Sequence, residues 1–258
     1  MAGTGVSDLK TRALAGLVAA AVALGALAAG GWLLWAFVTV VAVIALAEWC
    51  GLAGAHVARA AIALVLLAGV LILSSPGSWG PERDTVAVLS IAAIVAAMMV
   101  GSSRIGWGLV YAGAPAIALL FLRGLPQGFA MALWTIVIVI LTDTGAYFSG
   151  RAIGGPKLSP KLSPNKTWAG LVGGMAAALI GGAILGLAFG LPGATLWLGA
   201  PLAVVAQGGD LYESALKRKA GVKDSGHILP GHGGILDRID GLIPVATLVA
   251  ALVAGGVL

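Results

Sequence analysis

The 258-residue sequence predicts an all-α, polytopic integral membrane helical bundle, and three observations predict it. Hydrophobic residues make up 60% of the chain and charged residues 10%, whereas a soluble globular chain is about 25% charged. Mean hydropathy is +1.05. The apolar residues gather in runs close to the ~20 that cross a bilayer as a helix. A bundle of this length reads as one membrane domain, 1–258, with an N-terminal helical part (1–140) and a second part (141–258) that holds the long polar loops. The single cysteine, Cys50, excludes an intrachain disulfide. The net charge of +5 reads as membrane topology, and no nucleic-acid partner is expected.

Taken in order, Met1–Thr11 reads as a short cytoplasmic lead. The run after Lys10 and Arg12 mimics a signal peptide, but further spans follow it directly, so it is expected to be retained. About nine spans follow from the runs: 13–30, 32–50, 58–75, 85–101, 108–122, 129–148, 169–190, 194–213 and 236–257. Gly30–Gly31 reads as a tight hairpin between the first two. The fourth and fifth are short. The segment "GLVGGMAAALIGGAILG" (Gly170–Gly186) is rich in small-xxx-small spacings, which let helices approach closely in lipid. Two polar loops interrupt the second half, at about 149–168 and 214–235. The first contains the duplication "KLSPKLSP" (Lys157–Pro164).

The charges orient these spans. With the N-terminus inside, 13 of the 15 Lys and Arg residues fall on one side and only Arg83 and Arg123 on the other. The positive-inside rule then puts the N-terminus and both polar loops in the cytoplasm.

The acids are ten, and six of them fall between 143 and 240. Asp143 follows "WTIVIVILT" and Asp210 follows "LAVVAQGG", so both sit within apolar segments. An ionisable group at membrane depth is costly unless paired or facing water, which makes it a functional candidate. Asp210 and Glu213 share a helix face, as do Asp237 and Asp240. Such carboxylates repel one another, and a hard cation such as Mg²⁺ relieves the repulsion while keeping positions open for phosphate. Metal binding is the preferred reading for Asp210 and Asp237. For Asp143, Glu213, Asp224 and Asp240, pairing with a neighbouring Lys or Arg is an equal alternative.

Topology accounts for part of the basic residues, but not for their interleaving with carboxylates, Gly and Pro. Basic groups around a Mg²⁺ site suit a polyphosphate, whose chemistry needs charge neutralisation more than covalent help. The glycines of "PGHGG" (Pro230–Gly234) either let backbone N–H groups approach an anion or simply make a turn. His227 and His232 are read as phosphate contacts or loop hydrogen bonds rather than zinc ligands, because the surrounding donors are oxygens. Ser214 and Ser225 lie near His residues, but no oriented nucleophile and base follow from the sequence.

With these residues assembled, the chain resembles the phosphatidate cytidylyltransferase (CDP-diacylglycerol synthase) family. The resemblance rests on Ser214, Lys217-Arg218, Lys223-Asp224, His232-Gly233-Gly234 and Asp237-Arg238-Ile-Asp240. "QGGDLYES" (Gln207–Ser214) and "DTGAYFSGRAIGGPKLSPKLSPNKTW" (Asp143–Trp168) agree with it. The motifs cover about 143–240, and the first 140 residues match only in hydropathy. Ala169 departs from the Glu or Gln that the family often carries there.

The resemblance implies transfer of CMP from CTP to phosphatidic acid, giving CDP-diacylglycerol and pyrophosphate. It implies a multi-pass enzyme of the cell (inner or plasma) membrane, with its site facing the cytoplasm, and a homodimer. It implies Mg²⁺ held by Asp210 and Asp237, with Asp143, Glu213 and Asp240 completing the site, and leaves room for a second cation such as K⁺. Lys217, Arg218, Lys223 and Arg238 would neutralise developing charge, with Asp224 beside them. Lys157, Ser163, Lys166 and Thr167 would form a second phosphate-binding wall. Ser214, His232, Gly233 and Gly234 would contact substrate. Two rival readings stay open: a cytidylyltransferase using a polyprenyl or ether-lipid phosphate, and a secondary transporter with midplane acids.

Overall fold

The computed structural model describes residues 4–81, 83–228 and 233–258. Among the described residues the chain is mostly helical. The helices are α1 (Thr4–Ala29), α2 (Gly31–Leu52), α3 (Val57–Leu73), α4 (Arg83–Val100), α5 (Ser103–Gly124), α6 (Gly128–Ile153), α7 (Trp168–Phe189), α8 (Thr195–Lys219), α9 (Leu236–Ile239) and α10 (Leu242–Ala254). Strands β1 (Lys157–Ser159) and β2 (Ser163–Thr167) form one hairpin between α6 and α7.

Among the described residues four helices, α2, α5, α6 and α7, are long and apolar enough to cross a membrane. Helix α3 is apolar but has 17 residues. Asp240 and Gly241 interrupt the run predicted at 236–257, leaving 13 residues in α10, or about 20 Å of helix. Helix α8 has 25 residues, but its C-terminal half carries Asp210, Glu213, Lys217, Arg218 and Lys219. Those three basic residues extend α8 into the predicted 214–235 loop, where cations complement the helix dipole.

The all-helical expectation is corrected at 157–167. The "KLSP" duplication folds back on itself as an antiparallel pair, Lys157 against Thr167 and Ser159 against Ser163. Pro160 and Pro164, four residues apart, disfavour a helix there. Helix α6 also runs on through Ile153, so the loop predicted at 149–168 is shorter than expected.

The chain divides into two compact units. Unit one is Met1–Leu120 with Ala220–Arg238. Its α1–α2 break falls at Gly30–Gly31, with φ of 65° and 51°, a left-handed conformation that glycine adopts without a Cβ penalty. Trp35 Nε1 donates to Leu71 O at 2.7 Å and ties α2 to α3. Trp49 Nε1 donates to Arg104 O at 2.9 Å and ties α2 to α5. The Trp49 ring lies over Gly108, where a Cβ would overlap it. Leu46, Leu67, Leu71, Leu89 and Leu109 fill the interior.

Unit two is Phe121–Lys219 with Ile239–Leu258. Its packing rests on the small-residue stripe of α7, where Gly170, Gly174, Ala178, Gly182 and Gly186 are buried at every fourth position. A Cβ on Gly174 would stand 2.7 Å from Thr142 O of α6, and one on Gly199 of α8 would overlap the Ala178 carbonyl. Close backbone approach of this kind is what holds helices together where lipid removes the hydrophobic drive. Trp134 Nε1 adds a buried hydrogen bond to Gly182 O at 2.9 Å. The opposite face of α7, with Val172, Ile180, Ile184 and Leu187, is exposed and apolar, as a lipid-facing surface should be.

Candidate active site

In unit two, α6, the hairpin, the start of α7 and α8 enclose a cavity of about 590 Å³. Asp143, Tyr147 and Arg151 come from α6, where a spacing of four puts them on one face. Asn165, Lys166 and Thr167 come from β2, and Gln207 and Asp210 from α8. The predicted intramembrane acids Asp143 and Asp210 therefore line one cavity with the predicted phosphate-wall residues Lys166 and Thr167.

Lys166 pairs directly with Asp210. Ser214 Oγ, one turn further along α8, donates to Asp210 Oδ1 at 3.4 Å. Gln207 is buried, and its Nε2 donates to Asp143 Oδ1 at 3.4 Å, linking α8 to α6. Glu213 is 1% exposed, and Lys217 Nζ lies 3.3 Å from its Oε1. Asp240 lies beside Glu213 and within electrostatic reach of Asp210 and Asp143. Its Oδ1 accepts from Gly241 N at 2.7 Å.

Asp143, Asp210, Glu213 and Asp240 are four acids in this part of unit two, against three basic groups, Lys166, Lys217 and Arg151, so acids outnumber bases by one. The donors are hard oxygens. Among the described residues, no three His, Cys, Asp or Glu side chains form a preassembled metal cage. Mg²⁺ is commonly bound by one or two carboxylates plus substrate phosphates and water. The charge and donor chemistry of these residues thus fit a divalent cation.

Two predicted contacts take a different local role. Thr167 is buried and caps α7, its Oγ1 accepting from Gly170 N at 3.0 Å. Helix α7 therefore opens at the cavity, and a helix N-terminus favours anions. Lys157 is exposed on β1 and Ser163 is half-buried on β2, and neither lines the cavity.

Most of the remaining predicted residues belong to unit one. Asp237 Oδ2 accepts from Ser225 N at 2.9 Å, Ser225 Oγ at 3.0 Å and Gly234 N at 2.8 Å. Gly233 has φ of 80°, and a Cβ there would stand 2.7 Å from the same oxygen. Gly234 thus brings its N–H to an anion, and that anion is the chain's own carboxylate. Lys223, Asp224 and Arg238 are exposed, and Asp224 and His227 border an open cavity of about 430 Å³ beside the end of α2. In unit two, Arg218 is exposed in the last turn of α8. His232 lies outside the described residues.

Sequence reasoning missed five residues. Tyr147, Arg151, Asn165 and Gln207 line the unit-two cavity, and the Arg151 guanidinium donates to Tyr147 OH at 2.9 Å. Glu48 of α2 is 7% exposed and accepts three hydrogen bonds from the 225–236 loop. It follows "VVAVIALA", so the reasoning that selected Asp143 and Asp210 applies equally to it.

The position of Asp210 depends on the glycine before it. A Cβ on Gly209 would overlap Asp240 O and stand 2.8 Å from Pro244 Cγ, whereas Gly208 has open space. Gly209→Ala is expected to cost about 1–3 kcal/mol through overpacking and to lower activity by displacing Asp240. Gly208→Ala should be neutral or slightly stabilising. Thermal unfolding in detergent and turnover of the two variants check this.

The fold and the cavity together define a membrane protein with a cavity lined by charged side chains. Comparison with known proteins narrows this class. A family model described as the cytidylyltransferase family matches residues 10–255. A phosphatidate cytidylyltransferase from Brucella suis is 38% identical over 261 residues, covering 94% of this chain and 92% of the relative. Proteins of the same name from Staphylococcus saprophyticus and Staphylococcus aureus are 36% and 34% identical, each covering 95% of this chain and 98% of the relative. The chain belongs to the cytidylyltransferase family, and it is a nucleotidyltransferase.

Proposed function

We propose that this protein transfers CMP from CTP to phosphatidic acid, forming CDP-diacylglycerol and pyrophosphate for phospholipid synthesis. The observation that carries the reading is the unit-two cavity, where Asp143, Asp210 and Lys166 meet the N-terminus of α7 in a chain of this family. A phosphate oxygen of the lipid attacks the α-phosphorus of CTP. A new P–O–P bond forms, the α–β bridging bond breaks, and its electron pair leaves with pyrophosphate. The lipid phosphate is largely ionised near neutral pH, so no strong base is required, and the main obstacle is repulsion between anions.

Asp210, with Asp143, Glu213 and Asp240 near it, would hold Mg²⁺ here, and a second cation such as K⁺ is part of the proposal. When bound, Mg²⁺ supplies Lewis-acid neutralisation of the phosphates. The chain's own groups do the rest. Lys166 is held at the cavity wall by Asp210, where its ammonium faces incoming phosphate. Gln207 fixes the Asp143 carboxylate. Lys217 and Arg218 present cations at the end of α8 for the departing pyrophosphate.

The proposal includes about nine spans with the N-terminus and the site on the cytoplasmic side of the cell membrane, supported by the 13 to 2 distribution of Lys and Arg. It also includes a homodimer, as the resemblance implies. The test supplies labelled CTP, Mg²⁺ and phosphatidic acid to purified protein and follows CDP-lipid and pyrophosphate. Both products should form in equal amounts. Product only with a polyprenyl or ether-lipid phosphate would replace the acceptor, and no product across such a panel would refute the enzyme reading.

A further inference from the structure

We propose that Glu48 of α2 is a positioning residue. It fastens Ser225 and the backbone of Ile235 and Leu236 to α2 and, through Ser225, orients the carboxylate of Asp237.

A carboxylate in an apolar helix is costly unless its oxygens are satisfied. Glu48 is 7% exposed, and donors from the loop satisfy it. Oε1 accepts from Ile235 N at 2.9 Å. Oε2 accepts from Leu236 N at 2.9 Å and from Ser225 Oγ at 2.9 Å. The partners lie 177 to 188 residues away in sequence, so no local turn accounts for them.

Ser225 connects this acid to the next. Its Oγ is also 3.0 Å from Asp237 Oδ2, which accepts from Ser225 N and Gly234 N as well. A hydroxyl has one proton to donate, so Ser225 couples the two carboxylates: the geometry of one sets the other. The glycines share this design. A Cβ on Gly226 or on Gly234 would overlap the Glu48 carboxylate. Much of the loop's glycine content is therefore demanded by an interior acid that must come close, and Glu48 sets where Asp237 can point.

The inference rests on cytidylyl transfer only for its activity measurement. The test uses the full-length protein in detergent, with Glu48→Gln, Ser225→Ala and the double variant. Glutamine keeps the volume but turns an N–H₂ group toward one of the donors. Glu48→Gln is expected to speed amide exchange at Ile235 and Leu236 by roughly tenfold or more, since bonds to a charged acceptor are lost. Exchange in the rest of α2 should stay as it is. Turnover number with CTP should fall roughly 10- to 100-fold, in the range found for groups that orient a ligand-bearing side chain. Ser225→Ala should lower turnover similarly, and the double variant should add little, because both act through one link.

A space-filling role instead predicts that Glu48→Gln behaves as wild type in exchange and turnover, and that result overturns the proposal. So does slow turnover with unchanged exchange, which breaks the link to the loop. Fast exchange with normal turnover overturns the orientation of Asp237. If Glu48→Gln does not fold, exchange in Ser225→Ala decides the same question. If wild type turns over no CTP, the proposed function fails while the exchange result still judges the fastening.

Discussion

Asp210→Asn should lower turnover by about 10²- to 10³-fold, the loss typical when one preorganised electrostatic group is removed, and leave a folded protein. The substitution keeps shape. Asparagine's carbonyl can still accept from Ser214 Oγ, which lies 3.4 Å from Oδ1 in the native site. What disappears is charge. The four acids of this region become three while Lys166, Lys217 and Arg151 keep their charge, so binding of the proposed Mg²⁺ should weaken. Lys166 also loses its ion-pair partner and becomes free to turn toward substrate phosphate. The expected signature is therefore a fall in turnover number and a higher half-saturating Mg²⁺ concentration, with a smaller change in KM for CTP. Mg²⁺ titration of activity and thermal unfolding of the variant check it. Near-normal turnover would mean that Asp210 serves only to hold Lys166.

The charged residues of the cavity were more legible in the sequence than the architecture around them, for physical reasons visible in particular residues. Asp143 and Asp210 stood out because charge in an apolar run has few benign explanations, and both line the unit-two cavity. Gly170–Gly186 was legible because every fourth position is small, and that stripe is the buried face of α7. The hairpin at 157–167 was not, since strands of three and five residues give too short a pattern to read. Thr167 was legible as polar and near lysines, but a hydroxyl at the start of an apolar run is equally a helix cap, which it is. The ends of α8 and α10 were misplaced because hydropathy locates apolar length, while helix ends follow dipoles and breakers such as Lys217–Lys219 and Gly241. Glu48 was passed over because its partners are far away in sequence. Only the fold reveals that its carboxylate is satisfied by Ser225, Ile235 and Leu236.

Asp237→Asn separates two roles that the sequence alone merges. In the native protein one oxygen, Oδ2, faces three donors, Ser225 N, Gly234 N and Ser225 Oγ, the last sharing its single proton with Glu48. A neutral amide oxygen in that place can accept from the same three, so the loop should stay formed. Asp237→Ala removes the acceptor, leaves two backbone N–H groups without it, and should loosen the loop at a cost of roughly 1–3 kcal/mol for each buried donor left unsatisfied. If the negative charge of Asp237 is what the reaction needs, both variants lose turnover by about 10²-fold or more. Only alanine should then also speed amide exchange at Ser225 and Gly234. If Asp237 is needed only as a brace, asparagine should work nearly as well as the native acid and alanine should not. We expect the first pattern. Comparing turnover with exchange in the same two preparations distinguishes them, and an active Asp237→Asn protein would remove Asp237 from the metal ligands that the family resemblance implies while leaving its bonds to Ser225 and Gly234 as its function.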